Sequence, residues 1–316
     1  MTAQAIRPGL SLFARIPGVA MVLALLIIGF ALANPRFATP SNLTNLLVQS
    51  TLLALLAMPM TLVIMTEGLD LSMGAVLTFA SIALALTVVA TGSAALGVLA
   101  GLAVGLGFGL LNGVLVTSLN LPPFIATLGT LGIAQGLSLV VTDGQSVVGI
   151  PPTIERVYSS ALFGVPAPII LAALVYGLVH VLLYRTRFGV AVFALGGNRE
   201  ALRLAGVSDR AMLVAVYAFS GLVAGFAALL MTARLNAAHP TAGIGLEFDA
   251  IAAVAVGGTS FERGNGWLFG SLLGVVAVGV LRNGLNLLAV PSSAQVACIG
   301  ALVILAMFID TLRGGA

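Results

Sequence analysis

The residue types that carry out acid–base and metal chemistry are sparse in this chain. Its two histidines, His180 and His239, lie far apart in sequence, and neither has a carboxylate at metal-ligand spacing. Cys298 is the single cysteine, so neither a disulfide nor a zinc-binding cysteine set can form within the chain. All thirteen basic residues are arginines, which excludes a phosphate-binding Gly-x-x-x-x-Gly-Lys-Ser/Thr loop. We therefore expect no catalytic residue, no metal site and no ATP hydrolysis by the chain itself.

Five of the thirteen arginines fall in the segment 185–210, between two long apolar stretches. Because Lys and Arg are enriched in the cytoplasmic loops of membrane proteins, this segment is predicted to face the cytosol. Within it, Asn198 to Gly206 is typical of a short amphipathic helix that ends at a glycine. Ala201 and Ala205 would allow this helix to dock closely into a groove, with its arginines pairing with acidic residues at the rim. The alternative is an ordinary solvated loop on the positive side of the membrane.

Composition defines the elements that must position this segment. The chain has 316 residues, of which 60% are hydrophobic and 7% charged, against about 25% charged in soluble domains. It is therefore predicted to be an all-α polytopic membrane protein of about ten transmembrane helices, most of them long enough to cross the hydrocarbon core. The predicted spans are 16–33, 43–65, 73–91, 95–117, 124–142, 167–184, 211–231, 248–258, 266–289 and 293–312. The short eighth span and the second, which contains Pro59, are candidates for partial or broken helices.

Alternation of the spans predicts the orientation. With Arg7 and Arg15 inside, the segment 143–166 lies outside, the segment 185–210 lies inside, and both termini are cytoplasmic. Nine arginines then fall on the inner side and four on the outer side, so the charge count and the alternation agree. A cleaved signal peptide ending at Ala31-Leu32-Ala33 is the alternative for the first span, and its removal would leave every later orientation unchanged.

Small residues recur every four positions in two of the spans. Such rows produce a helix face without side chains, along which a second helix can approach closely, so they predict helix packing. The alternative, which is compatible with packing, is that these smooth faces slide during a transport cycle. The two rows are Gly97, Gly101, Gly105, Gly109 and Gly113, followed by Gly266, Gly270 and Gly274.

The two glycine rows also suggest an internal repeat. Asn112-Gly113 and Asn283-Gly284 end the rows, and several further residues match at the same offset of 171. The approximate repeats are 16–142 and 167–312 within a single transmembrane domain, 1–316. A unit of five spans, an odd number, places the two halves upside down relative to each other, which is the architecture of many transporters.

The placement of polar residues favours transport of an uncharged solute. The carboxylates lie at or near predicted span ends, so the mid-span carboxylate of an ion-coupled carrier is not expected. No filter loop of a channel is evident in the sequence. Candidate residues of a translocation path are uncharged, which suits a neutral polyhydroxylated solute, although each could instead bond helix to helix. These candidates are Asn112, Gln135, Ser138, Asn283 and Asn286.

Four motifs, in order, resemble those of the ribose-type permeases of bacterial ABC sugar importers. They are Glu-Gly-Leu-Asp-Leu-Ser-Met-Gly at 67–74, Leu-Pro-Pro-Phe-Ile-Ala-Thr-Leu-Gly-Thr at 121–130, Ala-Leu-Gly-Gly-Asn-Arg-Glu-Ala-Leu-Arg-Leu-Ala-Gly-Val at 194–207, and Ala-Ile-Ala-Ala-Val-Ala-Val-Gly-Gly-Thr-Ser at 250–260. The resemblance extends from about Asn34 to Leu312, almost the whole chain.

This resemblance implies a ten-span permease of the vitamin-B12-importer type (type II) in the bacterial inner membrane. It also implies three partners: a second permease subunit, identical or related, a cytosolic ABC ATPase, and a periplasmic substrate-binding protein. No nucleic acid partner is expected. The chain itself would hold no cofactor, because ATP and magnesium would be bound by the partner ATPase.

The resemblance assigns a role to the 185–210 segment, in which Asn198 to Gly206 would be the coupling helix. Leu202 departs from the second alanine of the family's motif there, and Glu67 departs from the commoner glycine. The residues that would couple to the ATPase are Asn198, Arg199, Glu200, Ala201, Arg203 and Gly206. Elsewhere, Asp70 to Ser72 is expected to cap the third span. Substrate contact is the alternative for that segment.

Overall fold

The computed structural model describes residues 18–259 and 266–314 and is almost entirely helical. Arg7 and Arg15, which are predicted to lie on the inner side, fall outside these residues. Two short antiparallel strands, β1 (Ala161–Leu162) and β2 (Val165–Pro166), form a hairpin. The described helices are α1 (Gly18–Ala33), α2 (Pro40–Met65), α3 (Met73–Thr91), α4 (Ala94–Thr117), α5 (Pro123–Thr142), α6 (Pro152–Ser159), α7 (Ala167–Arg185), α8 (Arg187–Gly197), α9 (Arg199–Leu204), α10 (Asp209–Leu235), α11 (Leu246–Val256), α12 (Leu268–Leu287) and α13 (Ser292–Gly314).

The helices match the predicted spans closely, and seven of the described helices are long and apolar enough to cross a membrane. The eighth predicted span is α11, whose 11 residues extend over only about 16 Å, roughly half the hydrocarbon core. The structure thus shows a short helix at the position of the eighth predicted span. The expectation of a break at Pro59 is wrong, because α2 continues through this residue. Every residue of α2 from Ser50 to Met65 is buried, so packing on all sides keeps the helix continuous where a backbone hydrogen bond is lost.

Helices α2 and α10 form an antiparallel pair at the centre of the molecule. Tyr217, early in α10, lies beside Gly68, which follows the end of α2. At the opposite end of the pair, Arg234 of α10 and Gln49 of α2 line one cavity. The largest hydrophobic cluster surrounds this pair, and Tyr217 itself is fully buried.

Contacts around the central pair recur at the offset seen in the sequence. Helix α4 packs along α10, and α12 packs along α2. Gly105 of α4 faces Gly221 of α10, while Gly279 of α12 faces Ser50 of α2. Ser50 and Gly221 are 171 residues apart and Gly105 and Gly279 are 174 apart, so the two contacts correspond to within one helical turn. Because α2 and α10 are antiparallel, these equivalent contacts have opposite directions across the membrane, as expected for an inverted repeat.

The glycine rows lie where neighbouring backbones come closest. A Cβ atom on Gly105 would lie 2.8 Å from the Cα of Gly225, and one on Gly113 would lie 2.8 Å from the Cα of Val214, so α10 occupies the space of both side chains. In the second row, a Cβ on Gly270 or Gly274 would collide with backbone carbonyl oxygens of Gly257 or of α11. The absence of side chains along both rows thus permits close helix contact.

Candidate functional site

The 185–210 segment folds into α8 and α9, joined at Asn198. The side-chain oxygen of Asn198 accepts a hydrogen bond of 2.9 Å from the backbone N–H of Ala201 and so caps α9. Gly206 follows the helix with a φ of 77°, the left-handed conformation in which glycine is favoured. Its N–H donates to the carbonyl oxygen of Arg203 at 2.9 Å. The short capped helix and its glycine stop are therefore present as the sequence predicts, while their role in docking stays a prediction.

One face of α9 is fixed to the molecule and the other is open. Leu202 is buried and packs with Leu195 of α8 and Leu213 of α10. This residue departs from the family's alanine, and its larger side chain anchors the helix. On the opposite side, Leu204 is 84% exposed and Ala201 is exposed as well. The exposed apolar face is available to a partner.

The two arginines of α9 have different surroundings. Arg203 donates to the carboxylate of Asp209 at 3.0 Å through its Nε, and this hydrogen bond raises the pKa of Arg203 above its ordinary value. Its expected acidic partner is thus supplied within the chain. Arg199 instead lines a cavity of about 350 Å³, which we call the inner cavity.

The inner cavity lies between the ends of several helices. It is lined by Arg199, by Tyr217 of α10, by Glu67 and Gly68 after α2, and by the segment 120–123 before α5. Helix α5 starts at Pro123, where the fixed φ of proline suits the first turn of a helix. The cavity places the first residue of α9 beside two loops that enter the helix bundle.

Asp70 is the centre of a buried polar network, although it was expected at a span end. Its carboxylate accepts hydrogen bonds from the N–H and Oγ of Ser72, at 3.0 and 2.6 Å, and from the Oγ of Ser220, at 2.8 Å. Asn112 donates to Ser72 at 2.8 Å and accepts from Thr130 at 2.6 Å. The network ties the 66–72 loop to α4, α5 and α10.

Two sequence expectations fail at this network. Ser72 occupies the N-cap position of α3 without a side-chain capping bond, because its hydroxyl is committed to Asp70. Ser220 lies eleven residues after Asp209, about 16 Å along α10 and near its middle. A carboxylate therefore does lie at mid-height, and the argument against ion coupling from its absence is wrong. The sequence analysis does not predict Ser220 and Thr130 as members of this network. The only feature that could have indicated them is a hydroxyl side chain within an apolar helix.

The remaining predicted path residues bond to neighbouring segments. Asn283 and Asn42 exchange side-chain hydrogen bonds of 2.8 and 3.0 Å between α12 and α2. Gln135 donates to a backbone carbonyl oxygen of the loop before α11 at 2.8 Å, and Ser138 donates within its own helix at 2.8 Å. Asn286 accepts from the Gln295 side chain at 2.8 Å and also lines a cavity. The structure thus disperses these residues and brings no common site together from them.

Comparison with known proteins gives concordant matches over most of the chain. Residues 42–307 match the family described as branched-chain amino acid transport system / permease component. The ribose import permease protein of Bacillus subtilis is 39% identical over 290 residues, covering 91% of this chain and 90% of that protein. The D-allose transport system permease protein of Escherichia coli is 36% identical, covering 93% and 91%. The L-arabinose ABC transporter permease protein of Azospirillum brasilense is 32% identical, covering 94% and 87%. No solved structure matches.

Proposed function

Since the chain belongs to the branched-chain amino acid transport system / permease component family and is a ribose-type sugar ABC permease, we propose that it is the membrane subunit of an ATP-driven sugar importer. In this role it forms the path for a neutral sugar that a periplasmic binding protein delivers. A separate cytosolic ATPase binds ATP and magnesium and drives the cycle. Relatives named for ribose, allose and arabinose support monosaccharides as the solute class.

The observation that carries the coupling role is the position of Arg199. This residue begins α9, whose opposite face exposes Leu204, and it lines the inner cavity together with Tyr217 and the 66–68 loop. An ATPase that binds the exposed face of α9 would move a helix whose first residue lines the same cavity as the 66–68 loop, close in sequence to Asp70. Leu202 supports the same role, because it fixes α9 to α8 and α10 and so transmits the motion.

The proposed architecture is the ten-span, type II permease fold built from an inverted five-helix repeat. The antiparallel α2 and α10 and the recurring contacts at the 171-residue offset support it. Two such subunits, identical or related, would complete the transporter. The arginine distribution supports an inner-membrane location with α8 and α9 in the cytosol.

Substitution of Gly206 tests this function in cells that express the importer. Gly206→Val forces a β-branched residue into a positive-φ conformation, which costs about 1 to 3 kcal/mol and misplaces the end of α9. We expect uptake of labelled D-ribose, D-allose or L-arabinose and co-purification of the ATPase to fall by roughly tenfold, with the amount of permease in the membrane unchanged.

The matched control is Gly197→Val, since Gly197 lies in the same segment, has an ordinary φ, and leaves open space for a Cβ. Its uptake should remain near the wild-type value. Equal uptake and equal ATPase recovery from both variants would show that α9 is not the coupling helix. Failure of the wild-type importer to take up any sugar would contradict the proposed function itself.

A further inference from the structure

A second polar cavity lies at the end of the α2 and α10 pair opposite the inner cavity. It has a volume of about 220 Å³ and lies among α2, α10, the start of α11 and the last turns of α12, and we call it the outer cavity. Leu46 lines the outer cavity, Tyr217 lines the inner one, and the two residues are 171 positions apart. One lining residue of each cavity is thus related by the offset of the internal repeat.

The polar side chains of the outer cavity have unused hydrogen-bonding capacity. Among the residues that the structure describes, Gln49 and Arg234 make no side-chain hydrogen bond. Asn286 accepts one bond from Gln295, which leaves its amide N–H groups to donate. Arg282 donates one N–H to Asp249 at 2.6 Å and keeps its other donors. These groups come from three helices and meet at one cavity.

The Asp249–Arg282 pair gives the cavity a rigid donor. Asp249 lies in the first turn of α11 and is largely buried, with its side chain 11% exposed, whereas Arg282 is 40% exposed and faces the cavity. A guanidinium held in this way presents its remaining planar donors in a fixed fork, which suits a pair of neighbouring hydroxyl oxygens. The carboxylate offsets the charge of Arg282, while Arg234, which has no described acidic partner, adds further donors and one positive charge to the lining.

The size and chemistry of the outer cavity define its occupant. A volume of about 220 Å³ corresponds to roughly seven water molecules and is smaller than the sites of drug-sized ligands. Gln49 and Asn286 both offer a donor and an acceptor, as a hydroxyl-rich ring requires. Gly279 and Ser50 both line the cavity, and a Cβ atom on Gly279 would lie too close to the Oγ of Ser50, so a larger residue at position 279 would collide there.

We infer that the outer cavity binds a monosaccharide through Gln49, Arg282 and Asn286 as it leaves the binding protein. This inference rests on the proposed function, which it deepens by assigning the solute contacts. The inner cavity has no equivalent of the Asp249–Arg282 pair among its described lining residues. The solute is therefore held at the outer end and released at the inner end.

The test uses the complete importer in proteoliposomes, with the ATPase and a sugar-loaded binding protein. Gln49→Leu removes both amide functions from an exposed residue whose side chain makes no described bond, so folding should be unaffected. We expect the uptake of D-ribose to fall by about tenfold, the effect of losing one or two hydrogen bonds. Arg282→Lys keeps the charge but loses the fork, and should change the ratio of D-ribose to L-arabinose uptake.

Gln145→Leu is the matched control, because Gln145 is also exposed and lies on the predicted outer side, away from the cavity. If the Gln49, Arg282 and control variants all transport like wild type with the same sugar preference, the inference is overturned. Inhibition of uptake by a sugar acid, with none by neutral pentoses, would equally overturn it. A wild-type importer that transports no sugar would contradict the proposed function, so the two failures are distinguishable.

Discussion

Placing one methyl group between α4 and α10 should separate these helices measurably. In Gly105→Ala the new Cβ would lie 2.8 Å from both the Cα and the N of Gly225 and would also collide with the carbonyl oxygen of Gly221. Because nonbonded carbon atoms prefer about 3.5 to 4.0 Å, the helices must move apart by roughly 0.7 to 1.2 Å. A gap of this size forfeits between a quarter and a half of each dispersion contact along the interface.

The energetic cost of overpacking can be separated from the gain in helix propensity by substituting a second glycine of the same helix. Gly107 is exposed, and a Cβ placed there meets nothing within 4 Å. Both Gly105→Ala and Gly107→Ala gain up to about 1 kcal/mol of helix propensity, so this gain cancels in the comparison. The remaining difference is the cost of overpacking, about 1 to 3 kcal/mol.

The measurement is the apparent melting temperature of the purified chain in detergent, followed by the fluorescence of Trp267, the single tryptophan. Gly105→Ala should melt roughly 2 to 6 °C below Gly107→Ala. If the two variants melt together, or if Gly105→Ala is the more stable, then the row of glycines is not needed for close packing of α4 on α10.

Two further predictions concern charge and orientation. Glu247→Gln should raise the free energy of unfolding by about 1 to 3 kcal/mol, and so raise the melting temperature, because this carboxyl is buried and its Oε2 has no described hydrogen-bond partner. Asp249→Asn should lower the free energy of unfolding by about 1 to 3 kcal/mol, because it weakens the hold on Arg282. A lower melting temperature for Glu247→Gln or a higher one for Asp249→Asn would refute the reasoning. In a cysteine-free background without the ATPase, a cysteine replacing Glu155 should react with an impermeant maleimide in intact cells and one replacing Arg203 should not, and the reverse pattern would invert the topology.

The sequence predicts those features that depend on the hydrophobic pattern and on the residues that end helices. The span positions, the short α11, and the capped helix from Asn198 to Gly206 all follow from local residue types. The expected break at Pro59 fails because tertiary packing outweighs a lost backbone bond, a balance that local sequence does not report.

The sequence does not show how deep a residue lies within the helix bundle. Asp70 follows the end of an apolar run, which indicates a membrane surface, yet its loop folds back to the level of Ser220 in the middle of α10. The contact spans 150 positions, so no local pattern carries it. The sequence does not identify Arg282 and Gln49 as site residues for the same reason. Their common cavity forms only when α2 and α12 come together.

Solute movement driven by ATP in a defined system tests the central claim most directly. Proteoliposomes should contain this chain with its ATPase and sugar-loaded binding protein, and uptake of labelled D-ribose, D-allose or L-arabinose should be followed with ATP or, separately, with an imposed proton or sodium gradient. We predict accumulation only with ATP and only when the ATPase subunit is present. Uptake by this chain alone in response to an ion gradient would contradict the account and would make the mid-height carboxylate of Asp70 the coupling group of a secondary carrier.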